Sequence, residues 1–332
     1  MSVRIAISIG DYNGIGPEVV LKTLQNRDLG DCTPVILGDT KIIDYYLDRL
    51  NISLEYHAAD SIQSVSDGRI NILNLLSSND IVIEPGKLSK NAGSCAMQAV
   101  ETGIQLCLSG ETAALVTASI SKEAVNRAGY HIPGHTEFLA EKTRTKDFIM
   151  MMVNEGLRIG LISTHVPLKE AAGWISKERV TRFIRIISKS LTRDFGIERP
   201  RVAVLGLNPH AGDGGMIGRE EIEVIQPAIE QYASGGINVE GPFPADGFFG
   251  SRNYRQFDGI LAMYHDQGLI PFKTLSFGAG VNFTAGLPFI RTSPDHGTAF
   301  DIAGQGSANP ASFRQAFDLA VSLAKKRRGQ SA

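Results

Sequence analysis

The sequence predicts an α/β/α protein of two lobes built on a mostly parallel sheet. Three observations lead there. Short β-branched runs alternate with longer runs of helical period, the pattern of successive βα units. The chain has 332 residues, more than one hydrophobic core comfortably serves, so two lobes are expected. Hydrophobic residues make up 43% and charged residues 20%, the balance of an ordinary globular protein rather than a disordered or membrane-embedded one.

The elements follow in order. RIAISIG, from Arg4 to Gly10, is an apolar strand run. GDYNGIGPE, residues 10–18, is a glycine-punctuated bend, and Pro17 fits the first turn of the helix that EVVLKTLQ continues. The bend lacks the Gly-Lys-Ser/Thr ending of a P-loop, so it reads either as a ligand-facing loop or as turn structure alone. PVILG is the next strand, and a helix is expected from about Thr40 to Leu50. Ser89 to Leu108 reads as a long helix, AALVTA as a strand, and SKEAVNRAG as a short helix closed by glycine. No internal repeat, low-complexity tract or obvious linker appears. KKRRG, near the end, reads as a solvated helix terminus whose charge suits the negative pole of the helix dipole.

Several function classes drop out. A formal net charge of −2 argues against a nucleic-acid partner. No apolar run approaches the roughly 20 residues of a membrane span, and MSVRIAISIG has no signal-peptide pattern, so a cytoplasmic protein is expected. Cys32, Cys95 and Cys107 form no CxxC motif and cannot all pair with one another. They read as core fillers in a reducing compartment.

In parallel α/β sheets the ligand crevice lies at the carboxyl ends of the strands. LRIGLISTH ends in His165, RVAVLGLNPH in His210 and FDGILAMYH in His265, so three of the seven histidines follow apolar strands. Each alone reads as a polar loop residue bonded to a nearby carbonyl. Three together also read as a metal set, provided the fold converges them. Neutral imidazoles suit zinc, cobalt, nickel or iron, and three protein ligands leave positions open for a substrate.

LNPHAGDGGMIGRE, residues 207–220, invites comparison with a dinucleotide-binding loop, but its third glycine falls one position late and four residues separate the strand from the first. No Rossmann fingerprint is present. Gly212, Gly214 and Gly215 instead permit a tight backbone beside His210. Other residues are equipped for an anion. His135 and Thr136 stand at the mouth of a helix, Lys273 ends GLIPFK, Asn282 is expected at a strand exit, and Arg291 lies in LPFIRTS. Asp246 and Asp266 are placed to orient ligands or to bind an amine.

The segments GHTEFLAE, STH, LNPHAGDGGMIGREE, GPFPAD, MYHDQGLIPFK and GVNFTAGLPFIRTSPDHGTAFDIAGQG resemble the 4-hydroxythreonine-4-phosphate dehydrogenase family of vitamin B6 synthesis. The likeness spans most of the chain, from Arg4 to the C-terminal helix. HGTAFDIAGQGSANPASF also resembles the coenzyme-side loop of isocitrate and isopropylmalate dehydrogenases. The resemblance implies an isocitrate/isopropylmalate dehydrogenase-like fold, with one lobe from residues 1–130 plus 275–332, a second from 131–274, and a cleft for metal and substrate between them. It further implies His165, His210 and His265 as ligands of one divalent ion, zinc, cobalt or magnesium. His135, Thr136, Lys273, Asn282 and Arg291 fall at its substrate-binding positions. His296, Gly297, Ala299, Asp301 and Gly304 fall on the side that holds NAD or NADP, and Lys273, Asp246 and Asp266 are its candidates for catalysis. The family's active site lies at a homodimer interface, with histidines of both subunits on one ion.

The implied reaction is oxidation of a secondary alcohol by NAD(P) and decarboxylation of the β-keto acid, with a small phosphorylated hydroxy-amino acid as substrate. Two departures bear on the substrate. Tyr12 and Asn13 stand where the family reads Pro-Ala, and Ser121 stands where asparagine or histidine is common. Relatives that act on phosphothreonate, phosphoerythronate or dihydrodiols are the nearest alternatives. A three-histidine zinc hydrolase would use the same ligands but leaves the HGTAFDIAGQG loop unexplained. A non-catalytic binding protein would have no use for three converging histidines.

Overall fold

The protein is described from a computed structural model over residues 2–75, 81–233, 238–276 and 279–331. It divides into two compact units, Met1–Arg144 with Pro288–Arg328, and Thr145–Leu287 with Gly329–Ala332. In chain order the strands are β1 (Val3–Ser8), β2 (Cys32–Gly38), β3 (His57–Ala59), β4 (Asn71–Asn74), β5 (Ala114–Thr117), β6 (Ile149–Asn154), β7 (Leu157–Leu161), β8 (Arg201–Leu205), β9 (Asn238–Phe243), β10 (Gly259–Ala262), β11 (Val281–Ala285) and β12 (Ile290–Pro294).

In the first unit the strands lie in the order β3-β4-β2-β1-β5-β12, and the pairings β3–β4, β4–β2, β2–β1, β1–β5 and β5–β12 are all parallel. Strands covered on both faces have no polar side, and so β1 and β2 read as continuous apolar runs and not as alternation. Ile5, Ala6, Ile7, Val35, Ile36 and Leu37 are fully buried. Helix starts follow the side chains that cap them: Asp39 accepts from Lys41 N, Ser89 from Ala92 N and Ser121 from Ala124 N.

In the second unit the order is β11-β6-β7-β10-β8-β9. β7, β10, β8 and β9 run parallel, whereas β6 pairs antiparallel with both β7 and β11. β6 and β7 form a hairpin through Glu155 and Gly156, with Glu155 at φ 40°. The mostly parallel α/β class expected from the sequence is the one observed.

The unit boundaries fall later than the expected 130 and 274. The helix His135–Lys142 belongs to the first unit, and β11 to the second, because β11 is hydrogen-bonded along its length to β6. Trp174 is 42% exposed beneath the Arg179 guanidinium and does not fill a core. Cys32 and Cys107 are buried as expected, and burial pushes their thiols up to about 11 and about 12. Among the described residues no helix is long and apolar enough to cross a membrane.

The bend at residues 10–18 is interior turn structure. Asp11, Tyr12 and Asn13 are buried; Asp11 Oδ1 accepts from Asn13 N, and the Asn13 side chain bonds Lys87 O and Glu84 N. Helix Gly16–Leu24 then carries Glu18, whose fully buried carboxylate accepts from Ala308 N at 2.8 Å and from Lys22 Nζ at 2.7 Å. Lys22 Nζ also donates to the carbonyls of Gly306 and Ala308. Lys22→Met keeps the apolar stem but leaves a buried carboxylate short of its cation. It should lower stability by about 2–3 kcal/mol, read as a drop in the urea midpoint at unchanged slope.

Candidate active site

Because β7, β10 and β8 are parallel, their chains leave at one edge, and each of the three strand-exit histidines follows one of them. The His165 and His265 rings stand 6.3 Å apart, centroid to centroid, tilted by 45°. His265 opens the helix His265–Ser276. Its Nδ1 lies 2.7 Å from Asp266 Oδ1; a carboxylate can only accept, so the bond places the proton on Nδ1 and leaves Nε2 as the donor atom, the usual carboxylate support of a metal-binding imidazole. Donor chemistry and ring placement therefore fit a divalent cation. His210 is exposed on its own loop. Among the described residues no group of three or more His, Cys, Asp or Glu side chains stands close enough to hold an ion. The chain thus brings His165 near His265 and pairs His265 with Asp266, and does not by itself complete a three-histidine set. Asp246 lies exposed in the first turn of helix Ala245–Gly250.

The glycine-rich loop before Glu221 is no phosphate cradle, because the protein fills it with its own anion. Glu221, 3% exposed, accepts from Leu207 N and Asn208 N through Oε1 and from Asn208 Nδ2 through Oε2, all within 2.9 Å. The chain wraps this carboxylate in left-handed conformation: His210, Ala211 and Asp213 have φ of 54°, 50° and 44°, and Gly212 and Gly214 have 82° and 63°. A Cβ on Gly212 would lie 2.6 Å from Glu221 Oε2. Non-glycine residues in this region each cost on the order of 1–3 kcal/mol, which the carboxylate's three bonds offset. The helical run after this loop begins as a π-helical turn, Glu221–Ile225, before helix Gln226–Ala233. Sequence reasoning missed Glu221; paired glutamates opening a helical run just past a glycine-rich turn were the available signal.

The expected anion-binding residues divide between the units. Arg291 is on β12, 1% exposed, with Nη2 donating to Thr117 Oγ1 at 2.8 Å. Burial lowers its pKa to about 10, opposed by Glu137, so it is a cation at neutral pH. His135 and Thr136 begin the helix His135–Lys142, whose N-cap, Gly134, has no side chain to spend on the free backbone N–H groups. Burial first, and the charge of Arg291 second, hold His135 down to about 3. Its Nε2 is sealed from solvent without a hydrogen-bond partner. In the second unit Asn282 is the second residue of β11, paired with Met152, and not at a strand exit as expected; its Oδ1 is buried without a partner. Lys273 is exposed in the last turn of helix His265–Ser276.

The segment from His296 to Gly304 is held by its carbonyls. Ser119 Oγ donates to His296 O at 2.6 Å, Ile15 N to Thr298 O at 2.9 Å and Arg49 Nε to Gly304 O at 2.7 Å. Ala299 is left-handed at φ 42°. His296 Nε2 is buried without a partner, a side chain on Gly297 would meet nothing within 4 Å, and Asp301 is exposed. The bend at residues 10–18 therefore acts as a mount of this segment, and Glu18 holds its continuation at Ala308. Neither had been assigned that part from the sequence.

Parallel α/β units with histidines at the strand exits and a buried arginine make the frame of an α/β enzyme. Comparison with known proteins narrows this. The pyridoxal phosphate biosynthetic protein PdxA family matches residues 30–320. A 4-hydroxythreonine-4-phosphate dehydrogenase of Prosthecochloris aestuarii is 46% identical, over 97% of this chain and 97% of that protein. A putative D-threonate 4-phosphate dehydrogenase of Oceanobacillus iheyensis is 42% identical, over 96% of this chain and 97% of that one. The crystal structure of the Klebsiella pneumoniae 4-hydroxythreonine-4-phosphate dehydrogenase superimposes with a TM-score of 0.90 at 39% identity, over 98% of each chain. The chain belongs to the PdxA family, and it is an oxidoreductase.

The lowered pKa of His135 has a sign. The folded state keeps this ring neutral down to about pH 3, while the unfolded chain protonates it near pH 6.5. Folding is therefore unpenalised above that value and loses stability as pH falls through the window between the two. Relative to the parent, His135→Gln should gain stability as pH drops from about 7 to about 5, by at most about 1.4 kcal/mol per pH unit. Denaturant midpoints of both proteins across that range measure it.

Proposed function

We propose that this protein oxidises the secondary alcohol of 4-phosphooxy-threonine with NAD or NADP, and that the resulting β-keto acid loses carbon dioxide to give 3-amino-2-oxopropyl phosphate, a step of pyridoxal phosphate biosynthesis. The observation that carries this reading is the meeting of His165 with His265, its Nδ1 held by Asp266, at the edge where parallel strands end, in a chain of this family. We place the reaction in the cytoplasm, in a homodimer in which histidines of both subunits share one ion. His210 outside the His165–His265 pair accords with that arrangement.

His165, His210 and His265 hold the cation in this reading, and imidazole donors favour zinc or cobalt over magnesium. Such a cation supplies Lewis acidity that lowers an alcohol pKa and offsets negative charge developing on oxygen. The chain's own groups do the rest. Arg291 and the N–H groups at His135 and Thr136 bind the phosphate dianion, with Asn282 and Lys273 as further donors. His135, neutral at working pH, donates or accepts one hydrogen bond without adding charge. Lys273 would carry the hydroxyl proton, and His296, Gly297, Ala299, Asp301 and Gly304 would hold the nicotinamide coenzyme, which would supply the hydride acceptor. Asp266 orients His265, and Asp246 meets the substrate amine.

A second reading rests on the Oceanobacillus iheyensis relative, whose name gives D-threonate 4-phosphate as substrate. The two substrates differ in an amine against a hydroxyl. Reduced nicotinamide formation with each, and with the unphosphorylated alcohols, separates them. Arg291→Met and Lys273→Met should each raise the KM for the phosphorylated substrate roughly ten- to hundredfold, since a charge-assisted bond contributes about 1.5–3 kcal/mol. The KM for coenzyme should change far less. Equal turnover of phosphorylated and unphosphorylated alcohols by the parent would remove the phosphate assignment, and absence of turnover on the amine-bearing substrate alone would move the threonate reading ahead.

A further inference from the structure

The hydrogen-bonded register of β8 and β10 pairs Val202 with Gly259, Ala203 with Ile260 and Val204 with Leu261. Carried on in the same register, Met263 stands opposite Gly206. The side-chain amide of Gln267 is bonded to both: Oε1 accepts from Met263 N at 2.7 Å, and Nε2 donates to Gly206 O at 2.6 Å. The orientation of the amide is fixed, since a backbone N–H only donates and a carbonyl only accepts. A direct ladder bond would bring the two backbones to about 2.9 Å; an amide group interposed between them holds them farther apart. On its other side Met263 O accepts from Ser163 N at 3.2 Å and from Ser163 Oγ at 3.0 Å. Met263 thus joins three strand exits, with His165 just beyond Ser163, His265 just beyond itself, and His210 in the loop that Gly206 opens.

We infer that Gln267 is a positioning residue that wedges the exits of β8 and β10 apart and thereby sets where the His210 loop stands relative to His265. The inference rests on the metal reading given above. Glutamine suits the place because it alone, at this reach, offers an acceptor to one strand and a donor to the other. Glutamate of the same length accepts from Met263 but sets a carboxylate against the Gly206 carbonyl. Methionine has the length and neither bond. Gly268 makes the wedge possible: a Cβ there would lie 2.5 Å from Leu161 Cδ2 and 3.0 Å from Ile159 Cγ2, so only glycine lets the helix carrying Gln267 lie this close to β7.

The test uses the full-length protein and Co²⁺ as the probe, with affinity from titration calorimetry and geometry from the visible absorption bands of the bound ion. Gln267→Glu and Gln267→Met should weaken Co²⁺ binding about ten- to hundredfold, the usual effect of removing a support behind metal ligands, and should shift the absorption bands. Should the glutamate variant not fold, the methionine variant carries the measurement. Variants that lose thermal stability but bind Co²⁺ with the parent's affinity and spectrum would show Gln267 to be structural only, and the inference falls. His265→Ala separates this from failure of the metal reading. If that variant loses Co²⁺ while both Gln267 variants keep it, the positioning role alone is wrong; if it binds Co²⁺ as the parent does, the metal reading is wrong and the inference goes with it.

Discussion

Parallel pairing of β7, β10 and β8 is the constraint on which the second unit depends. A parallel strand needs a long crossover to return, and it delivers its end to the same edge as its neighbours. The chain meets the first demand with helix Lys177–Arg193 between β7 and β8, which buries Val180, Ile184, Ile187 and Leu191. The second demand gathers the histidines at one edge. Beneath that edge lies one apolar cluster, in which Leu161, Leu205 and Ala262 from the strand ends meet Phe248, Phe257 and Phe272. Phe243 stacks on Phe248 at 5.1 Å. Close-packed aromatic groups keep the strand ends from drifting, and a site built on them inherits that rigidity.

A second theme is the use of the protein's own carboxylates where the sequence suggests a bound anion. Two glycine-rich stretches follow strands and open helices, and each is satisfied internally. In the bend after β1, Asp11 accepts from Asn13 N, and burial raises this carboxyl to about 6. In the loop after β8, Glu221 takes two backbone N–H groups and an amide. A glycine-rich loop exposes N–H groups because its backbone can turn inward. Whether a ligand or a side chain answers them depends on what the next helix carries. Here the next helices carry Glu18, which answers Ala308 N in the segment from His296 onward, and Glu221, which answers its own loop.

The first unit handles charge differently. Arg291 keeps a full positive charge in a place almost closed to water, with Thr117 as a partner and the field of Glu137 in support. Burial first, and the positive charge of Arg291 second, keep His135 neutral. A cation beside a neutral donor in low dielectric attracts an anion more strongly than the same pair would in water, and it does so without a second positive charge to be desolvated.

Local physics wrote much of this into the sequence. Apolar runs of four to seven residues gave β1, β2, β5, β7, β8 and β10, and capping side chains such as Asp39, Ser89 and Ser121 marked helix starts, because both signals are made by neighbours along the chain. The strand-exit histidines were legible for the same reason. β6 was not, since the three consecutive methionines of IMMMVN show no strand signature of their own and its pairing with β7 and β11 is made by partners elsewhere. The unit boundaries moved with it, carrying Asn282 into the second unit and His135 into the first. The burial of Arg291 was not legible because it is a property of strand neighbours. Glu221 and Gln267 did not stand out in the sequence, because each is defined by backbone groups of other segments, four to sixty-one residues distant. The sequence by itself determined which elements form and which residue types reach the strand ends. Only tertiary structure decided that His165 meets His265 while His210 stands apart on a loop wound around a carboxylate, because those placements are set by distances between segments that no local pattern encodes.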